Sequence, residues 1–191
     1  MYAIIATPDE LLETAIAAAR LHDAGNLDAL DHLPAAIYTT NAEGRITYFN
    51  QACVDFSGRT PKVGRDSWCV SWKLFTEEGE YLPHDQCPMA VAIRDRQPVR
   101  GVAAIAERPD GSRVNFVPYP TPLLDDDGEL IGAVNILIDM TEPSARAEHY
   151  RAQALRCRRL AHAMGDRRTS STLILMADEY EAKALEVQGD N

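Results

Sequence analysis

The stretch "ELIGAVNILIDMTE", residues 129–142, decides how this chain is read. It is an apolar run with one amide, Asn135, in its middle, and it stops abruptly at Asp139-Met140-Thr141. Read as a strand, it sets Asn135 on the same face as Ala133, Leu137 and Asp139, because strand side chains alternate. A buried amide left unpaired costs about 1–3 kcal/mol. Asn135 therefore needs a ligand, a neighbouring backbone group or a trapped water. At the strand's end Asp139 can accept from backbone N–H groups of the turn, and Thr141 can cap a helix beginning near Pro143. Such a strand can receive a change at its buried face and hand it to that helix.

Working upstream, residues 99–140 read as three strands, divided by a Pro-Asp-Gly turn at 109–111 and an Asp-Asp-Gly turn at 126–128. "DQCPMAVAIRDRQ", residues 85–97, reads as one helix. Asp85 is its expected cap, Met89, Ala92 and Ile93 its inward face, and Pro98 follows its end. Before it, residues 59–83 are broken by Pro and Gly and carry both tryptophans. "ACVDFSG" is a short helix ended by Gly58. "AAIYTTNAEGRITYFNQAC" predicts two strands around a turn at Asn41 to Gly44. Strand, strand, short helices, helix, then three strands: this order predicts an α+β fold, an antiparallel sheet with helices on one face.

Both flanks read as helices. "ELLETAIAAARLHDAG" has Thr7 or Asp9 as cap, Pro8 in its first turn and Gly25 at its end. Leu11, Leu12, Ala15, Ile16 and Ala19 form one apolar face, which must lie on something. At the other end "PSARAEHYRAQALRCRRLAHAM" and "TSSTLILMADEYEAKALEVQ", joined by "GDRR", predict a helical hairpin packed through Leu160, Leu173 and Met176, with Ser/Thr caps on its second helix. The expected divisions are 1–28 for the leader helix, 29–142 for the central domain and 143–191 for the hairpin.

In order and spacing, "AIYTTNAEGRITYFNQA", "ERPDGSRVNF", "TPLLDDDGELIGAVNI" and the closing "DMT" resemble a PAS domain over about Leu30 to Glu142. The resemblance implies a five-stranded antiparallel sheet with helices on one face. It also implies a sensory or interaction module. Some members bind haem, flavin or a small metabolite between sheet and helices. Many dimerise through flanking helices and pass signals along the helix after the last strand, with Asp139 and Thr141 at that junction. A PAS kinase would continue into a His-bearing helix pair and an ATP-binding domain. These 191 residues carry no Asn- and Gly-rich boxes, no GGDEF-like run and no strongly basic recognition helix. The expectation is a sensor without a recognisable effector.

Under that resemblance the candidate pocket is lined by Asn135, Leu137, Phe116, Trp68, Trp72, Met89 and His84. The identity of any ligand stays open. Haem is disfavoured: His84 and Cys87 stand at the start of the helix that usually supplies the axial histidine, and its deeper positions are Ala90, Val91 and Ala92. Flavin photochemistry is disfavoured as well, because Cys69 in "GRDSWCVSWKLF" is displaced from the adduct motif and the accompanying Arg and Gln are missing. His162, in "RRLAHAMGDRRTSS", is read as a surface histidine in preference to a phosphoacceptor. Neither paired carboxylates nor a Ser–His arrangement nor a phosphate loop appears, so an enzyme is not expected.

Composition narrows the partners. The net charge is −10 with a pI near 4.9, and from Thr141 onward acids and bases balance at eight each, so the excess lies before it. That sign repels phosphate and argues against nucleic acid or an anionic membrane. No apolar run reaches the roughly 18–20 residues a membrane helix needs. The N-terminus has no basic region of the signal-peptide type. Cys53, Cys69, Cys87 and Cys157 show no CxxC or zinc spacing and are expected to be reduced thiols in a cytoplasmic protein. The expected assembly is a homodimer built on the leader helix, acting on an unidentified signalling protein of the bacterial two-component kind. The alternatives are a ligand-free dimerisation or adaptor module and a remnant of a histidine-kinase sensor.

Overall fold

The computed structural model describes residues 8–20, 30, 31, 33, 35–141, 143–164 and 166–189. Thr7 and Gly25, expected at the ends of the leader helix, lie outside them. In chain order the elements are α1 (Pro8–Arg20), β1 (Ala36–Asn41), β2 (Ile46–Phe49), α2 (Gln51–Ser57), β3 (Lys73–Phe75) and β4 (Tyr81–Leu82). After a 3-10 turn at His84–Gln86 come α3 (Pro88–Asp95), β5 (Ala104–Glu107), β6 (Arg113–Pro118), β7 (Thr121–Leu124), β8 (Leu130–Asp139), α4 (Pro143–Ala163) and α5 (Arg167–Gly189). Contacts divide the chain into two units, with the break after Asp139.

The first unit is one antiparallel sheet in the order β2-β1-β8-β6-β5-β3-β4, with β7 also on β8. Its centre is the β1–β8 pair, in register from Ala36↔Leu137 to Asn41↔Gly132. Gly132 is needed there because a Cβ would run into the Thr40 carbonyl oxygen of the adjoining strand. One edge of β8 changes partner along its length: β7 pairs around Val134 and Ala133, β6 from Leu137 to Asp139. The break falls at "PYP", where Pro118 and Pro120 supply no N–H to a ladder.

Eight strands form where five were expected. Of the three expected after residue 99, the middle one is split by those prolines into β6 and β7. The other two extra strands, β3 and β4, are three and two residues long, too short to show a period of two in the sequence. The helix at 85–97 also starts later than expected. Pro88 stands in its first turn, Cys87 is its N-cap, and Asp85 belongs to the preceding 3-10 turn.

The two faces of the sheet bury different things. On the inner face Ala36, Tyr38, Phe116, Ala133 and Leu137 pack with Cys53 and Phe56 of α2 and Met89, Ala90 and Ile93 of α3. On the outer face Ile37, Val134 and Ile136 are covered by Leu11, Leu12, Ala15 and Ala19 of α1. The apolar stripe of the leader helix, expected to seat a second copy, is thus occupied by the sheet of its own chain. A helix of 13 residues is marginal in water alone and gains its stability from such packing.

The second unit is the hairpin of α4 and α5. Its seam is made of small residues: Ala147, Ala154, Cys157 and Ala161 on α4, Ala177 and Ala184 on α5. Leu160 and Met176, expected in the seam, are exposed. The reason is register. Ala147, Ala154 and Ala161 recur every seven residues, as do Ala177 and Ala184, and this repeat sets the facing positions. Capping of α5 also differs from expectation. Asp166 accepts from the backbone N–H of Thr169 at 2.8 Å, which makes the aspartate of "GDRR" the cap.

Candidate functional site

Asn135 is buried on the inner face, and both ends of its amide are used. Its Oδ1 accepts from the Tyr119 backbone N–H at 2.9 Å. Tyr119 is the donor left between Pro118 and Pro120, so the amide closes the seam where β8 changes partner. On the other side Nδ2 donates to the Tyr38 hydroxyl at 3.0 Å. That hydroxyl donates in turn to the Trp68 backbone carbonyl at 2.9 Å. The line of bonds runs from the loop before β3, through β1, to β8 and the β6–β7 corner.

Trp68 holds this carbonyl inward from a backbone φ of 70°, a region a bulky residue seldom adopts. Two features fix it. Its N–H donates to the Gly44 carbonyl at 2.8 Å. Its ring lies over Gly44, in the space that a side chain at 44 would occupy. Gly44, at φ 78°, is therefore required by the turn and by the tryptophan together.

Three thiols surround the same region. Cys69 Sγ donates to Ser71 Oγ at 3.4 Å, Cys87 Sγ approaches the Trp68 carbonyl at 3.9 Å, and Cys53 Sγ donates to the Ile37 carbonyl at 3.2 Å. Burial pushes the Cys87 thiol up to about 12 and raises Cys53 and Cys69 too, so all three are held protonated. The Tyr38 phenol is also raised well above its ordinary value, by burial first and the neighbouring thiols second. No group here is poised as a nucleophile.

Of the expected pocket residues, Asn135, Leu137, Phe116 and Met89 lie in the inner core, and Trp68 packs against it. Phe116 meets Phe56 edge-on, with ring centroids 5.1 Å apart. Trp72 is the correction. It is 52% exposed, because Val70, Ser71 and Leu74 take the buried positions around it. His84 is half-buried in the 3-10 turn before α3. Its Nε2 is buried without a hydrogen-bond partner, and burial lowers the pKa of its imidazole. At the junction Asp139 closes β8 opposite Phe116, and Asp139 and Thr141 are both exposed on either side of buried Met140. His162 is exposed.

Tyr38 and Asn50 are not singled out by the sequence. Tyr38 shares its face with Ala36, and pairing β1 against β8 sets it opposite Asn135, so the signal was the register rather than either residue. Asn50 stands out in the sequence only as a helix start. It is fully buried: Oδ1 accepts from Ile37 and Cys53, and Nδ2 donates to the Leu30 and Ala35 carbonyls. Among the described residues no group of three or more His, Cys, Asp and Glu side chains could hold a metal.

An antiparallel sheet holding short helices on its inner face, with a buried polar line across its centre, defines an α+β domain. The chain belongs to the PAS fold family, whose pattern it matches over residues 30–145. No curated protein matches it. Among solved structures it is similar to the LOV domain of a blue-light activated histidine kinase from Erythrobacter litoralis, at 23% identity and TM-score 0.45, over 58% of this chain and all of that one. It is similar to the Rhodobacter sphaeroides LOV protein at 14% identity and TM-score 0.46, over 96% and 97% of the two chains. The PAS domain of the fruit-fly ELK potassium channel is similar at 15% identity and TM-score 0.44, over 62% and 94%. Among the described residues no helix is long and apolar enough to cross a membrane.

Proposed function

We propose that this chain is a non-catalytic PAS sensory or regulatory module of the cytoplasm, working as a homodimer on a separate signalling protein. Its input is a small ligand or a protein partner, and its output leaves through the flanking helices. The observation that carries the reading is β8. This strand bears Asn135 at the centre of the core, ends at Asp139, and is followed by α4 from Pro143. On this reading Asp139 accepts from exposed amides of the turn, and Asp139→Ala costs on the order of 1 kcal/mol for each. That is too little to unfold a domain worth roughly 5–15 kcal/mol. Hydrogen exchange in the Asp139→Ala protein should speed up across residues 144–164 and stay unchanged across 132–138. An equal rise in both segments, or in neither, would remove the junction from the route.

Residues of the core favour neither haem nor flavin. The space between sheet and helices holds Tyr38, Phe116, Met89 and Leu74, all fully buried, and the deeper positions of α3 are Ala90 and Ala92. The purified protein is therefore expected to be colourless, and a visible absorption band surviving dialysis would contradict this. The same packing favours the ligand-free adaptor as the second reading. For the dimer surface, the hairpin supports a second copy of itself. Leu155, Ile174, Leu175 and Leu185 are exposed on it. A two-fold partner would cover these side chains with their counterparts from the other copy.

A further inference from the structure

We propose that the PAS core contains a recognition site for a phenolic hydroxyl and that Tyr38 occupies it in cis, as the domain's built-in ligand. Three separate elements meet at one oxygen. β1 supplies the ring, the loop before β3 supplies an acceptor in the Trp68 carbonyl, and β8 supplies a donor in Asn135 Nδ2. The acceptor and the donor are each held by bonds that do not involve Tyr38. Trp68 is fixed by its N–H on the Gly44 carbonyl at 2.8 Å and by its ring over Gly44. The loop around it is tied by Arg59, whose Nη1 donates to the Val70 carbonyl at 3.0 Å and whose Nη2 pairs with Asp66. Asn135 is held through its Oδ1 by the Tyr119 N–H at 2.9 Å. A donor and an acceptor placed in advance across an apolar slot are what a binding site offers a hydroxylated aromatic guest.

The Tyr38 hydroxyl is met from two sides, donating to a tryptophan carbonyl turned inward from φ 70° and accepting from Asn135 Nδ2. The ring belongs to the cluster of Phe116, Met89, Ala133 and Leu137, so the slot accepts a flat apolar body with one polar end. A free small molecule therefore meets a site already taken, and the class of guest that fits on vacating it is a para-alkylphenol the size of a tyrosine side chain.

The test uses the full chain with Tyr38→Ala and Tyr38→Phe, and p-cresol and toluene as probes. Adding p-cresol should raise the melting temperature of Tyr38→Ala and leave wild type and Tyr38→Phe unmoved. It should bind Tyr38→Ala about tenfold or more tighter than toluene, since toluene leaves the carbonyl and the amide unpaired. Adding Asn135→Leu to Tyr38→Ala should erase that preference. If Tyr38→Ala is unfolded alone, p-cresol and not toluene should restore its folded spectrum. The assignment is overturned if the two probes act equally on Tyr38→Ala, if neither acts, or if wild type responds to p-cresol as strongly as the variant. None of these readings depends on the Asp139 route or on dimerisation.

Discussion

Four hydrogen bonds converge on the side chain of Asn50, and nothing in its neighbourhood can replace it. Asn50→Ala strands the Ala35 carbonyl and the Ile37 amide and leaves the Leu30 carbonyl with the Leu33 N–H alone. At about 1–3 kcal/mol for each buried group left unpaired, the loss is a large part of the stability of a small domain. The urea midpoint should drop sharply. Asn50→Asp, which keeps the acceptor and loses both donors, should recover only part. Sequence showed a short helix from Ala52 and concealed the importance of Asn50 ahead of it, because three of the four partners come from residues 30–37, upstream of β2. Asn135 was legible as a buried amide, since it interrupts an apolar run. Its partner Tyr38 was not, because no local pattern tells a core tyrosine from a surface one. At the same scale, burial lowers the pKa of both His84 and His149 below the ordinary 6.5. Arg59, Asp66 and Asp85 are the charged groups facing His84, with Arg59 lowering it further and the two aspartates opposing. A histidine held neutral in the fold gives stability that is complete above the unfolded pKa and is lost as pH falls below it. Denaturant midpoints should therefore fall between about pH 7 and pH 5, and a His84→Gln/His149→Gln protein should show a flatter profile.

Among the elements, α1 has the most direct test. Leu12 is buried against the outer face of the sheet. Leu12→Glu removes about 1.5–3 kcal/mol of apolar burial and sets a charge on Ile37, Val134 and Ile136. Exchange of the α1 amides should rise, dye binding to the uncovered face should appear, and the inner core should keep its protection. Helices were readable because their apolar spacing and Pro or Gly boundaries are local: α2, α4 and α5 lie where the pattern put them, as does α1 over the residues described. The sheet was less readable where its features depend on pairing. β3 pairs with β4 on one side and β5 on the other, and β8 holds β6 and β7 end to end on either side of the proline break. The hairpin carries an acid-sensitive link. Arg158 holds the Glu181 carboxyl below its ordinary value. A carboxylate shifted down adds stability above its unfolded pKa and loses it as pH falls through the lower one. Helicity of the hairpin should weaken in acid, and Glu181→Gln should reduce that loss without abolishing it, because Thr169 also holds the carboxyl of the cap Asp166 below its ordinary value.

For the molecule as a whole, the distribution of apolar surface gives the decisive measurement. The hairpin turns alanines inward and leaves Leu175 and Leu185 more than 60% exposed. Small seam residues allow two helices to lie close but bury little area, so the larger side chains are available to another surface. In sedimentation the full chain should run as a dimer, and Ile174→Glu with Leu175→Glu should give monomers that retain the PAS core. A dimer unaffected by both changes would place the interface elsewhere. Charge before Thr141 stays strongly acidic, so association should not depend on nucleic acid and should survive nuclease treatment.

The strand pair at the centre of the sheet has one more consequence, and it concerns time. Tyr38 and Asn135 touch across 97 residues of sequence. A ribosome adding roughly 5–20 residues each second needs about 5–20 s to pass from one to the other. During that interval β1 has been made and its main neighbour has not, while Ile37 and Tyr38, which end with no exposed surface, have no permanent cover. The first hairpin must wait, held by a chaperone or by nothing, until the last strand of the domain emerges to close over it.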